Sequence, residues 1–403
     1  MFLSVSVASP HSLVTARGWL IASSDPGGID SRSTVLREIM SVSRISMLAS
    51  LVGVAVLTSS CGSVGPASSD FNSVSAIASA GSDVWIASQY GGYGNSGSIS
   101  ELSASTGLVV RVIGAQADRF ANPVALAASG GYVWVLNQGG GPMFDHSPTG
   151  TVTELNAATG ALVRTLRAPG GDLSSPSAIA VSGSDVWVTN FQGRSGATEF
   201  EGSTGAAIRD IGAGGTDSIY GSVGVAAADG KIWIANESLS AGNGSITILA
   251  ATTGRLIRVV YPAASLASSG TVGIVAAGNL VWVADGGNAP TDNPVTILNA
   301  ATDVPIRTFN TTYGAYHPPN SLAVGGKDLW VTDNGSPNAG NGGVTEFDRS
   351  TGAVVRAVGS AADGFSSPEV IAVAGNHVWI ANNQANSVIE LSAATGDLVK
   401  IIT

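Results

Sequence analysis

The hexamer DVWVTN, residues 185–190, places a polar residue before an apolar centre built around Trp187 and closes on a polar letter. Near-copies recur as DVWIAS, YVWVLN, KIWIAN, LVWVAD, DLWVTD and HVWIAN, with tryptophans at 85, 134, 233, 282, 330 and 379. The spacing of 46–53 residues is that of propeller blades rather than of helical solenoids. Within one repeat the pattern predicts four short strands. In 177–211 these are SAIAVS, a tight GSD turn, VWVTN, a Gly-rich loop, ATEF, a GSTG turn and AAIRDI. No repeat carries helical periodicity. The prediction is an all-β chain: a seven-bladed β-propeller over 71–403, four antiparallel strands per blade, each blade contiguous in sequence.

The first strands (SAIAS, VALAAS, SAIAV, VGVAAA, VGIVAA, SLAVGG and VIAVAG) are rich in small residues, which suits the innermost and tightest turn of a ring. The tryptophans on the second strands supply the bulk where neighbouring sheets diverge. A Thr-Gly landmark follows each tryptophan, with Thr302-Asp303 as the variant. Glu101 and Arg111, Glu154 and Arg164, Glu199 and Arg209, Glu346 and Arg356, and Glu390 and Lys400 are each ten apart about such a turn. That places them opposite one another on strands three and four, as exposed pairs that guard an outer edge. Ile248 and Ile297 stand opposite Arg258 and Arg307 instead.

Ahead of the repeats, Arg44 precedes the apolar run ISMLASLVGVAVLTSSCGS, which ends in small residues and Cys61. This has the length and flanks of an export signal. It resembles a bacterial lipoprotein signal, although Leu57 lies four residues before the cysteine rather than three. The resulting division is a non-native extension over 1–39, a signal peptide with a lipobox-like end over 40–61, a linker over 62–70, and the propeller. Met40 or Met47 then serves as the start, and Cys61 as the lipidation site. No other stretch has the length of a membrane span, so the membrane is met only through the lipid.

Composition narrows the function classes. Only 11% of residues are charged, the net charge is −10, and no basic cluster occurs, which excludes a nucleic-acid partner. One cysteine and four histidines exclude a disulfide framework and a Cys-rich zinc site.

VWVTN, together with TELNAATGALVRTL of the preceding repeat, resembles the YVTN-type propeller repeat. DLWVTDN resembles the strand motif of streptogramin (virginiamycin B) lyase-like propellers. The resemblance spans all seven repeats and implies the propeller fold, with lyases and lactonases among the activities such repeats host. Where the lyase pattern carries Glu after the strand-two aromatic, this chain has Ser88, Asn137, Asn190, Asn236, Asp285, Asp333 and Asn382.

The loops after strand two and those entering strand one share one rim and are long and rich in Gly and Asn. Functional groups belong there. The recurrent Asn reads as a strand cap. Asp285 and Asp333 replace it in adjacent repeats, and the loop TTYGAYHPPN between them supplies His317. Two carboxylates and an imidazole suit Ca²⁺ or Mg²⁺, or acid–base chemistry. GGGPMFDHSP, with Asp145 and His146, is a second candidate loop. The sequence therefore predicts an exported, lipid-anchored or secreted monomer that binds a surface ligand or protein. The alternative is a metal-dependent lyase- or lactonase-like enzyme on the same rim.

Overall fold

Each tryptophan faces the blade that follows it. Along a strand successive side chains alternate between the two faces of a sheet, so in the second strand Asp83–Ser88 Val84 and Ile86 point one way while Trp85 and Ala87 point the other. Trp85 lies in a core with Val133, Val135 and Leu155 of the second blade. Trp134 meets Val186, Val188 and Phe200 of the third. The pattern continues to Trp379, which packs with Val84, Ile86 and Leu102 of the first blade. Seven such clusters, one per blade junction, make the core.

The computed structural model describes residues 3–9, 12–18 and 71–403, the last apart from 92–95, 115–119, 140–149, 170–172, 192–194, 213–218, 220, 238–243, 262–270, 287–293, 311–318, 334–341 and 360–362. It divides into two units, 1–64 and 65–403. In the first, Leu3–Ser9 pairs antiparallel with Ser12–Gly18. In the second, seven four-stranded antiparallel sheets follow in chain order. They span 74–114, 123–166, 176–212, 222–260, 271–310, 319–358 and 368–402. Their first strands pack on one another in sequence, and that of the seventh packs on that of the first. The ring thus closes with every blade drawn from one continuous segment, as the repeat predicts.

Small residues on the first strand make room for the indoles. Ala78, Ala127, Ala180, Ala226, Ala323 and Ala372 are the backbone partners of six of the seven tryptophans, with Val275 opposite Trp282. All seven rings are buried. Burial of a side chain this large contributes on the order of 3 kcal/mol.

The acid–base pairs are in register as the ten-residue spacing predicts, but they are not exposed. Glu101, Glu154, Glu199, Glu346 and Glu390 are only 1–2% accessible. Each lies directly across from its tryptophan on the neighbouring strand and so shares the face turned toward the next blade. Arg Nε to Glu Oε2 distances are 2.5 Å for Arg111–Glu101, 2.7 Å for Arg164–Glu154, 2.8 Å for Arg209–Glu199 and 2.5 Å for Arg356–Glu346. The outer flank is aliphatic instead. The residue before each cation (Val110, Val163, Ile208, Ile257, Ile306, Val355 and Val399) is exposed in every blade. Alternation along the strand explains the correction, because turning the cation inward turns its neighbour out.

These cations also join blades. Arg111 donates to Ala158 O of the next blade's Thr-Gly turn (3.0 Å), Arg164 to Ser203 O (2.7 Å), Arg209 to Thr252 O (3.2 Å) and Arg356 to Ala394 O (3.0 Å). Arg307 reaches Thr351 O in the same way. Lys400 donates to Gly107 O (3.0 Å) and so ties the last blade to the first. At the fourth blade Arg258 is exposed, and Lys231 takes over the role. Its ammonium meets Ala300 O at 2.8 Å, Ala301 O at 3.1 Å and the Asp303 carboxylate at 2.6 Å. Asp303 is the residue that replaces the turn glycine, with φ +60°. In most other turns the glycine lies against the preceding blade's cation. A Cβ on Gly160 would come within 2.8 Å of Arg111 Cδ.

Candidate functional site

Strand ends define two unlike rims. On one, strands one and two are joined by two residues, and strands three and four by four or five. On the other, blades are joined by eight to ten residues, and strands two and three by four to thirteen. Charge divides the same way. The short-turn connections carry three acids (Asp229, Asp303, Asp397) and three bases (Arg255, Lys327, Arg349). The long connections carry seven Asp or Glu against three Arg, and Asp285 and Asp333 end strands that lead into them.

The long-loop rim is fastened to the scaffold by the last residue of each second strand. Asn137 is fully buried. Its amide nitrogen donates toward Val135 O (3.3 Å), Thr151 Oγ1 (3.3 Å) and Thr153 Oγ1 (3.0 Å). Its oxygen accepts from Ala121 N in the incoming loop (3.3 Å). Asn236 repeats this with Ile234 O, Ser245 Oγ and Thr247 Oγ1, and accepts from Ser222 Oγ. Asn382 donates to Gly364 O (2.5 Å) and Ser387 Oγ (3.3 Å), and accepts from Ser366 N (3.0 Å). Asn190 is equally buried but has no hydrogen-bond partner among the described residues. Asn137, Asn236 and Asn382 are strand caps, and Asn137 and Asn382 also hold the incoming loop.

Asp285 occupies the same place in the fifth blade, paired across the backbone with Thr271. It is 3% accessible, and neither carboxylate oxygen has a hydrogen-bond partner among the described residues. Burial pushes its pKa up to about 7. Asp333 ends the equivalent strand of the sixth blade, paired with Pro319 and Gly343, and is half-buried. The two aspartates therefore stand at equivalent strand ends of adjacent blades. His317, Asp145, His146 and Cys61 lie outside the described residues. No group of three or more His, Cys, Asp or Glu side chains arranged to hold a metal occurs among the described residues.

No known protein family matches the sequence, and no curated protein does. Solved structures do match. Hydrazine synthase from Kuenenia stuttgartiensis superposes with a TM-score of 0.61 at 16% identity, covering 84% of this chain and all of that one. The WD40 repeats of RRP9 give 0.58 at 11% identity, covering 78% of this chain and 88% of that one. The likeness is one of fold. The chain is a seven-bladed β-propeller.

Sequence reasoning did not anticipate that the glutamates are buried at the blade junctions. It also missed His377, whose Nδ1 lies 2.8 Å from Glu390 Oε1 and takes part in the last junction. The signal was present: each glutamate falls on the same side of its strand as the tryptophan opposite, and that side is core.

Proposed function

We propose that the protein is an exported binding module, anchored through Cys61, that takes a cationic ligand, or the cationic face of a partner protein, on its long-loop rim. The observation that carries this reading is the contrast between the rims. The short-turn rim is charge-balanced, and its turns are engaged in holding one blade to the next. The long-loop rim has seven Asp or Glu against three Arg in its connections, on loops that vary in length around a constant strand framework. Loops of variable length on a rigid frame are where binding surfaces are usually built, and like charge gathered on one face attracts opposite charge. The YVTN-type repeat motif and the apolar run ending at Cys61 support membership of an exported propeller group.

The test uses an oligolysine peptide and Ca²⁺ as separate probes in calorimetry. The peptide should bind the folded propeller and weaken as salt rises. Replacing Asp118, Asp217, Asp292 and Asp363 by Asn should weaken it several-fold, whereas replacing Asp229 and Asp397 on the other rim should not. Equal binding by both variants would overturn the reading. Saturable Ca²⁺ binding lost with the same four residues would identify a metal as the ligand. For export, Cys61→Ala should release the protein from the membrane fraction or block its processing.

A further inference from the structure

The outer hairpin of the fourth blade differs from the other six in charge. Residues 245–260 hold Arg255 and Arg258 and no acid, whereas the matching stretches of the other blades are neutral or negative. Two departures from the repeat leave these arginines without counter-charges. Ile248 stands opposite Arg258, where five blades have glutamate, and Lys231 already fills the next blade's turn that Arg258 would reach. Arg255 comes directly after the turn glycine, a place taken in the other blades by Leu108, Ala161, Ala206, Val304, Ala353 and Asp397. Both arginines are exposed, and neither guanidinium has a hydrogen-bond or ion-pair partner among the described residues.

The surface around the two cations is apolar and open. Leu256 packs on the core shared with the third blade, whereas Arg258 lies on the side of Ile248, in the core shared with the fifth. The register slips between them, and the bulged Ile257 stands 45% exposed. A groove of about 380 Å³ lies between the third and fourth blades, its lining including Arg209, Asp210, Ile211, Arg255 and Leu256. Arg209 is engaged by Glu199 and Thr252 O, and Asp210 accepts from Thr198 Oγ1 at 2.7 Å. Arg255 is therefore the cation of that groove without a partner. Among the described residues only Ser245–Ala250 pairs with Leu256–Val260, so the outer edge of this strand is open.

We infer that an extended acidic segment of a partner protein crosses this strand, with one carboxylate on Arg255 in the groove, apolar side chains over Ile257 and a second carboxylate on Arg258. The spacing sets the motif. Arg255 and Arg258 are three residues apart, about 10 Å along an extended strand, so the two acids are three residues apart in the partner. Guanidinium groups grip carboxylates in a planar fork. The aliphatic surface between them favours a peptide over a small inorganic anion, which would leave Ile257 and Leu256 uncovered. The site lies on the outer wall of the propeller and does not rest on the proposed function of the long-loop rim.

The probe is a rhodamine-labelled peptide, Gly-Ser-Thr-Glu-Val-Val-Glu-Thr-Ser-Gly, titrated with the folded protein and followed by anisotropy. Binding should weaken about fivefold on Arg255→Gln and again on Arg258→Gln, each the loss of one exposed ion pair at its upper value. Arg349→Gln, on the sixth blade, should leave it unchanged. Neither Arg255 nor Arg258 has a partner to lose, so both variants should keep the urea midpoint of the wild type. A peptide with its two glutamates adjacent should bind more weakly than the one with them three apart, and a peptide with glutamine in their place should not bind. Equal binding of the adjacent-glutamate peptide, or of tripolyphosphate, would show attraction for any anion and overturn the inference. Binding that ignores both arginines, or no saturable binding at millimolar peptide, would also overturn it. Failure of oligolysine to bind would count only against the proposed function.

Discussion

At the residue scale, one glycine type does two jobs that can be separated. Gly160 sits in its Thr-Gly turn at φ +67° and also leaves space for the Arg111 side chain of the preceding blade. Gly81, at φ +61°, has nothing within 4 Å of where a Cβ would stand. A left-handed backbone costs a non-glycine residue roughly 1–2 kcal/mol. Gly81→Ala should therefore lose about that much in urea unfolding, and Gly160→Ala should lose more, because it also pushes on the guanidinium. Equal losses would mean that the arginine moves aside freely. Asp303 shows how one blade tolerates a side chain at the turn, since it gives Lys231 a carboxylate in place of the missing space.

At the element scale, the buried glutamates make the blade junctions sensitive to loss of a cation. Glu199 is 1% accessible, and Arg209 supplies its ion pair. Arg209→Ala leaves that carboxylate without its counter-charge and should cost up to about 3–5 kcal/mol, less whatever water recovers at the partly exposed arginine end. Glu199→Ile, which copies Ile248 opposite Arg258 in the fourth blade, should cost clearly less. If the arginine variant were the milder of the two in chemical denaturation, the junctions would be held by packing alone. The exposed aliphatic row on the fourth strands shows what the inward turn of the charges leaves outside.

At the scale of the whole molecule, ring closure rests on the Trp379 cluster, the Lys400–Gly107 bond and Asn386, whose side-chain oxygen accepts from Ser73 N at 2.9 Å. Lys400→Met should lower stability by about 1.5–3 kcal/mol, the worth of a charged hydrogen bond. It should also make the first and last blades the earliest sites of limited proteolysis. Cleavage that begins in a middle blade would contradict this. Proton linkage also acts on the whole fold. Burial pushes Glu101 up to about 7, against the opposing pull of Arg111, and Asp285 up to about 7. In the unfolded chain both ionise near pH 4, so the folded protein holds more protons between about pH 4 and 7. Stability should fall as pH rises through that window and level off above it. Asp348 works in the opposite sense. Hydrogen bonds from Ser350 and Thr351 hold its carboxyl well below the usual range, so its contribution fades as pH falls through the acid region. Urea midpoints at pH 5 and pH 8 test the balance, and Asp285→Asn should remove part of the difference.

Periodicity alone determined the fold. Seven tryptophan hexamers, alternating small and bulky strands and Thr-Gly turns admit one closed arrangement, because each sheet can bury its two faces only against its neighbours. The ten-residue spacing likewise determined which acid faces which base, since register follows from turn length. The sequence also marked Asp285 as the odd residue in a row of asparagines. Only the tertiary structure decided that the glutamates are buried, because the face a strand turns to its neighbour blade is a property of the ring and not of the strand. The same holds for the junctions: Arg111 and Ala158, or Lys231 and Asp303, come together through closure and share no local motif. The weight of Asp285 was also settled there. A carboxyl at a strand end is ordinary in a solvated loop and costly where it is buried without a hydrogen-bond partner, and it is burial that separates the two.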